Sequence, residues 1–107
     1  MRLEDIAEAI SSIQSTEDGL KFQEFALSWS LQRAVERGLE IISEASRGVS
    51  TEAKAAHPSV PWSAIAGIGN ILRHDYHRVE PLIIWNITVE HLPALARAVE
   101  ALLDDGS

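Results

Sequence analysis

Apolar side chains recur at spacings of three and four along most of this chain, and that period restricts the fold more than any other feature. Leu3, Ile6, Ala7, Ile10 and Ile13 form the first such stripe, one face of an amphipathic helix. The stretch "STEDG" breaks it, with Gly19 as the turn residue. A longer helix is expected from Leu20, with Phe25 and Trp29 on a shared face. Leu31, Val35, Leu39, Ile42 and Ala45 continue its buried stripe. "RGVST" ends this helix and "HPSVP" reads as an irregular connector. Pro61 suits the first position of the next helix, where no backbone N–H is needed. Trp62, Ile65, Ala66, Ile68 and Leu72 supply that helix with its apolar face. Glu80-Pro81 and Leu92-Pro93 start two further elements on the same logic, the second running through Leu95, Val99, Leu102 and Leu103.

One stretch departs from the period. In "LIIWNITV", Ile83, Trp85, Ile87 and Val89 alternate with Asn86 and Thr88, a pattern with strand propensity. A lone strand has no partner elsewhere in the chain, so helix is expected there too. The fold class is therefore all-α, an up-and-down bundle of four to five helices. The expected organisation is one domain over residues 1–107, with residues 104–107 a frayed acidic tail.

Composition narrows the function. The chain has no cysteine, hence no disulfide, zinc-thiolate site or thiol nucleophile. The segment "MRLEDIAEAI" lacks the apolar stretch of a signal peptide, and no apolar run approaches the roughly 18 residues needed to span a bilayer. A cytoplasmic protein with no membrane partner is expected. The formal net charge of −7 argues against a broad nucleic-acid-binding surface, which needs clustered positive charge. Lysine occurs only at Lys21 and Lys54, and arginine supplies the other seven positives. Arginine's planar fork binds two oxygens of one phosphate or carboxylate, so a small anion site is compatible with the overall charge. Arg33 and Arg37, beside Glu36, Glu40 and Glu44, read as a solvated helix face with paired charges.

The chemistry concentrates in "GNILRHDYHRV", residues 69–79, which holds two histidines, two arginines and the only tyrosine. On one helix over 62–77, Asn70, His74 and His77 share a face, and Gly69, Arg73 and Tyr76 form the adjoining stripe. A solvated, dipole-stabilised helix end would account for this pattern without any function. A metal site is weaker: His74 and His77 share a face, but two ligands do not close a site. Asp75 could orient His74 or pair with Arg78, and spacing does not decide.

Beyond these residues, nearly the whole chain resembles the minimal HepT-type members of the HEPN superfamily. "AVERGLEIISEASR" is similar to that family's long helix. "HPSVPWSAIAGIGNILRHDY" is similar to its Pro-x-x-x-Trp start of the motif helix and its His-Asp-Tyr end. "VEPLIIWNITVEHLPAL" is similar to its final helices. The family signature is Arg, four residues, His, one residue, Tyr, often with Asn after the Arg. Asn70, His74 and Tyr76 match it, whereas Gly69 stands at the arginine position and an arginine occurs one turn later, at Arg73. Positions 69 and 73 lie about 5–6 Å apart on one helix side, so a long side chain from 73 is expected to reach where one from 69 would sit.

The resemblance implies a toxin of a toxin–antitoxin pair, acting as a metal-independent endoribonuclease without cofactor. His74 and Arg73 are then the catalytic groups, with Asn70 as orienting donor and His77 and Arg78 as phosphate-binding extensions. It further implies a homodimer, RNA (tRNA or mRNA) as substrate, and an MNT-type nucleotidyltransferase antitoxin that transfers AMP to Tyr76. The alternative is a non-catalytic HEPN subunit, marked by Gly69, that binds the nucleotidyltransferase and nucleotide. A generic bundle with a merely solvated cluster is the third reading.

Overall fold

The structure, a computed structural model, describes residues 3–74 and 80–106, with the side chains of His74 and Gly106 outside the description. The described residues form helices and their connections: α1 (Leu3–Glu17), α2 (Phe22–Ala26), α3 (Trp29–Ser46), α4 (Thr51–Ala56), α5 (Trp62–His74) and α6 (Pro81–Gly106). The all-α bundle read from the apolar period is present, four helices being long and α2 and α4 short. Among the described residues, no helix is long and apolar enough to cross a membrane.

α3 is the central element, packed against α1 on one side and α5 on the other, while α6 closes over α1. Ile6, Ile10 and Ile13 of α1 meet Val35, Leu39 and Ile42 of α3 in the core. Ile65, Ile68 and Leu72 extend it from α5, and Ile84, Leu92, Leu95 and Val99 from α6. Each such side chain contributes roughly 1.5–3 kcal/mol through burial. Gly19, at φ +71°, ends α1 in the left-handed region that glycine adopts without strain. Gly38 lets α1 and α3 approach closely: a Cβ there would stand 2.8 Å from both Cγ1 and Cδ1 of the buried Ile13.

The helix expected from Leu20 is instead two helices. Ser28 caps α3 by accepting a hydrogen bond from the Leu31 N–H at 3.2 Å. The Gln32 amide donates to the carbonyls of Phe25 and Ala26, both at 3.1 Å, and so satisfies the end of α2. The break rotates Trp29 away from Phe25. Phe25 is fully buried, whereas Trp29 is 70% exposed and carries the Arg33 guanidinium 5.4 Å from its ring centre. Phe22 and Phe25 both pack on Trp85, at 5.8 and 5.2 Å between ring centres, which holds α2 against α6.

The element expected to start at Leu92-Pro93 is not separate, because α6 runs through Pro93. Proline there removes one hydrogen bond, to the carbonyl of Val89. Val89 is 58% exposed, so water can take up that carbonyl. The buried residues on both sides of the proline keep the helix continuous. The strand-like "LIIWNITV" lies in this helix, with Ile84, Ile87 and Thr88 facing inward. Pro81 opens α6 as expected, with the Glu80 carbonyl accepting from Ile83 and Ile84. Pro61 sits one residue before α5, and its carbonyl accepts from the Ile65 N–H. The short α4, capped by Ser50, was not read from the sequence.

α1 and α6 also meet through a polar contact. The Thr88 hydroxyl lies 2.7 Å from the Trp85 carbonyl and 3.1 Å from Glu17 Oε2. Burial pushes the Glu17 carboxyl above its ordinary value of 4.5, and the Thr88 hydroxyl opposes this more weakly.

Two predictions follow from these packings. Gly38→Ala adds an overpacking cost of about 1–3 kcal/mol that exceeds the helix-propensity gain of about 1 kcal/mol. Gly67→Ala, whose Cβ meets nothing within 4 Å, gains about 0.5–1 kcal/mol. Thermal melts followed by circular dichroism should therefore move in opposite directions for the two variants. Glu17 holds a proton in the folded chain at pH values where the unfolded chain has lost it, so stability falls as pH rises from 4.5 through the raised value. Glu17→Gln should remove that pH dependence and leave the variant at least as stable as the parent at neutral pH, as read by urea titration across pH.

Candidate functional site

The site is built where α5 seats on α3. Val60 is buried, and the Trp62 indole N–H donates to the His57 carbonyl at 3.0 Å, which fixes the start of α5 against its connector. Ile65, Ile68 and Leu72 turn inward, and the α5 backbone comes close to α3 at one polar residue. The Ser43 hydroxyl, buried in α3, donates to the Ala66 carbonyl at 2.8 Å and accepts from the Gly69 N–H at 3.0 Å. Arg47, at the end of α3, donates to the same Ala66 carbonyl at 3.1 Å. These contacts set both the spacing and the rotation of α5.

Gly69 is buried at this seat. A Cβ there would stand 3.2 Å from Ser43 Oγ on one side and 3.1 Å from Arg73 Nη1 on the other. The Arg73 side chain thus folds back along α5, with its guanidinium over the bare face of Gly69. It is held there by a 2.9 Å hydrogen bond from Nη2 to Asn70 Oδ1. Asn70 and Arg73 are both solvent-exposed. Because its oxygen takes the arginine, the Asn70 amide keeps its N–H donors for another group. The Arg73 guanidinium thus lies against the Cβ position of residue 69, one turn back along the helix.

His74 occupies the end of α5, next to Arg73 in sequence; its side chain lies outside the described residues. Asp75, Tyr76, His77 and Arg78 lie outside them as well. The helix expected over 62–77 is therefore described as far as His74. The structure brings together Asn70 and Arg73 of the residues singled out above.

It also brings residues to the site that the sequence left on a solvated surface. A groove of about 270 Å³ lies beside Ser43, with Arg37, Glu40, Glu44 and Arg47 of α3 on one wall and Arg73 of α5 on the other. The spacing of 37, 40, 44 and 47 puts the four on one helix face. Nothing in a single helix says that α5 will deliver a further guanidinium to that face. Three positive side chains and two carboxylates share the groove, in a chain whose net charge is −7.

Comparison with known proteins places this geometry in context. The family model described as "Ribonuclease HepT-like" matches residues 6–102. A protein of Thermococcus cleftensis named "Probable ribonuclease HepT" is 38% identical over 100 residues, covering 94% of this chain and 91% of that protein. A protein of Methanocaldococcus jannaschii that carries an RNase name is 34% identical, over 92% of this chain and 90% of its own length. One of Caldanaerobacter subterraneus subsp. tengcongensis, also named as an RNase, is 35% identical over 94% and 90%. No solved structure matches.

The seat of α5 gives a stability prediction. Ser43→Ala removes a buried hydroxyl that serves two backbone groups, and should cost about 1 kcal/mol. The expected result is a lower urea midpoint with an unchanged slope. An unchanged midpoint would show that the hydroxyl does not hold the helix.

Proposed function

Because the chain belongs to the ribonuclease HepT-like family, we propose that it is an endoribonuclease that cuts RNA without a metal ion, with Arg73 in the place of the family's motif arginine. The observation that carries this reading is the Arg73 guanidinium lying over Gly69, 3.1 Å from where a side chain at that position would begin.

In this reading the RNA's own 2′-OH attacks the adjacent phosphorus. The bond from O2′ to phosphorus forms, the bond from phosphorus to O5′ breaks, and a 2′,3′-cyclic phosphate and a 5′-OH result. One base must take the 2′ proton and one acid must give a proton to O5′. Histidine suits both roles near neutral pH, so His74 serves as one of them. A two-fold homodimer that brings two motif helices together supplies a second copy of His74 for the other. Arg73 neutralises the charge that builds on the phosphoryl oxygens, and Asn70 donates its free amide N–H to position the phosphate. His77 and Arg78 extend the phosphate-binding strip.

The same reading makes the chain the toxin of a cytoplasmic pair whose antitoxin is an MNT-type nucleotidyltransferase. That partner would transfer AMP from ATP to the Tyr76 hydroxyl. The new bond joins the tyrosyl oxygen to the α-phosphorus, and pyrophosphate leaves. An anionic nucleotide beside a phosphate site both fills it and repels RNA.

Induced expression should arrest growth with cleavage of host RNA. His74→Ala and Arg73→Ala should each relieve the arrest while keeping the wild-type circular dichroism spectrum. If the wild type neither arrests growth nor cuts RNA, the non-catalytic subunit is the correct reading and Gly69 is its mark.

A further inference from the structure

We propose that the groove between α3 and α5 is a second phosphate subsite, in which Arg37 and Arg47 hold a backbone phosphate of single-stranded RNA next to the scissile one. The assignment rests on the ribonuclease reading for its ligand, and on the following observations for its place.

α3 contains several arginine–glutamate pairs at the same spacing of three, and they behave differently. Arg33 and Glu36 form an ion pair at 2.6 Å, away from the groove. Arg37 with Glu40, and Glu44 with Arg47, have that spacing and line the groove, yet neither is paired among the described residues. Arg47 turns instead to the Ala66 carbonyl. Arg37 makes no hydrogen bond among the described residues. A guanidinium has five N–H donors in a fixed fork; Arg37 lines this groove and also a neighbouring one beside Asp5 and Glu8 of α1, and Arg47 retains most of its donors. Arg73 closes the opposite wall and links this groove to the face of Gly69.

Three guanidiniums against two carboxylates leave this groove locally positive in a chain whose net charge is −7, the balance that a small anion site needs. The volume of about 270 Å³ lies below the roughly 300–1,000 Å³ of pockets that enclose a drug-sized ligand. It therefore suits one phosphate with its adjoining sugar along a strand. Glu40 and Glu44 temper the site and keep the strand from binding too tightly to leave.

The test uses the full chain and a fluorescent, short 2′-O-methyl oligoribonucleotide, which cannot supply the attacking hydroxyl, so binding is read apart from cleavage. Arg37 has no hydrogen-bond or ion-pair partner among the described residues, which makes Arg37→Ala the primary variant. It should weaken binding about tenfold and lower the slope of log affinity against log salt by about 0.7. Arg47→Ala, checked by circular dichroism, should act in the same direction, and Glu40→Gln should tighten binding severalfold. Wild-type affinity and salt slope in folded Arg37→Ala would overturn the subsite and leave the ribonuclease reading standing. Arg37-dependent binding by a chain that cuts no RNA would keep the subsite and refute the ribonuclease reading. Displacement of the oligonucleotide by equimolar AMP or inorganic phosphate would overturn the assignment to an RNA strand.

Discussion

The Ser43 hydroxyl between α3 and α5 is the contact on which the candidate site depends. It accepts from the Gly69 N–H and donates to the Ala66 carbonyl, which fixes how far and at what rotation α5 lies against α3. Position 69 is then too crowded on its α3 side for a side chain to settle freely. The space above its outer side is open to a long side chain from one turn later. Arg73 takes that space, and Asn70 fastens it. Packing at one buried serine and the bare face of Gly69 thereby leave room for the Arg73 guanidinium against the helix.

The fold was largely legible because the apolar period is unbroken in α1, in α3 after its cap, and in α5. Two departures have local causes. Ser28 accepts from Leu31 and Gln32 satisfies the end of α2, so a stripe that looked continuous is two helices, and Trp29 is exposed. The capping serine was visible, but the compensating reach of Gln32 is a tertiary detail. At Pro93 the opposite happened. Proline usually ends a helix, but burial of Ile84, Ile87, Leu92, Leu95 and Val99 outweighs one missing hydrogen bond to a carbonyl near solvent. The strand-like alternation around Trp85 has no partner strand to pair with among the described residues, and the segment is helical in α6.

The site was legible in part. Asn70 and Arg73 stood out from composition, and helix geometry put positions 69 and 73 on one side; the fold-back of Arg73 onto Asn70 and Gly69 is seen only in the structure. Ser43 did not stand out, since a single serine in an apolar stripe carries no signal of the helix it will meet. Arg37 and Arg47 were hidden for a related reason. Charges beside glutamates at helical spacing look self-neutralising, and only the placement of α5 shows that Arg47 turns to the Ala66 carbonyl, while Arg37 has no partner among the described residues.

The central claim is that an arginine one turn displaced does the work of the family's motif arginine. Its most direct test is to move the charge back. Cleavage of a defined single-stranded RNA should be measured for the wild type, for Arg73→Ala, and for the double variant Gly69→Arg/Arg73→Ala, which removes the guanidinium on one side of position 69 and leaves Ser43 Oγ, 3.2 Å from the new Cβ, to give by a few tenths of an ångström. Arg73→Ala should lose cleavage and the double variant should recover it, both folded. Cleavage by Arg73→Ala at the wild-type rate would contradict the claim.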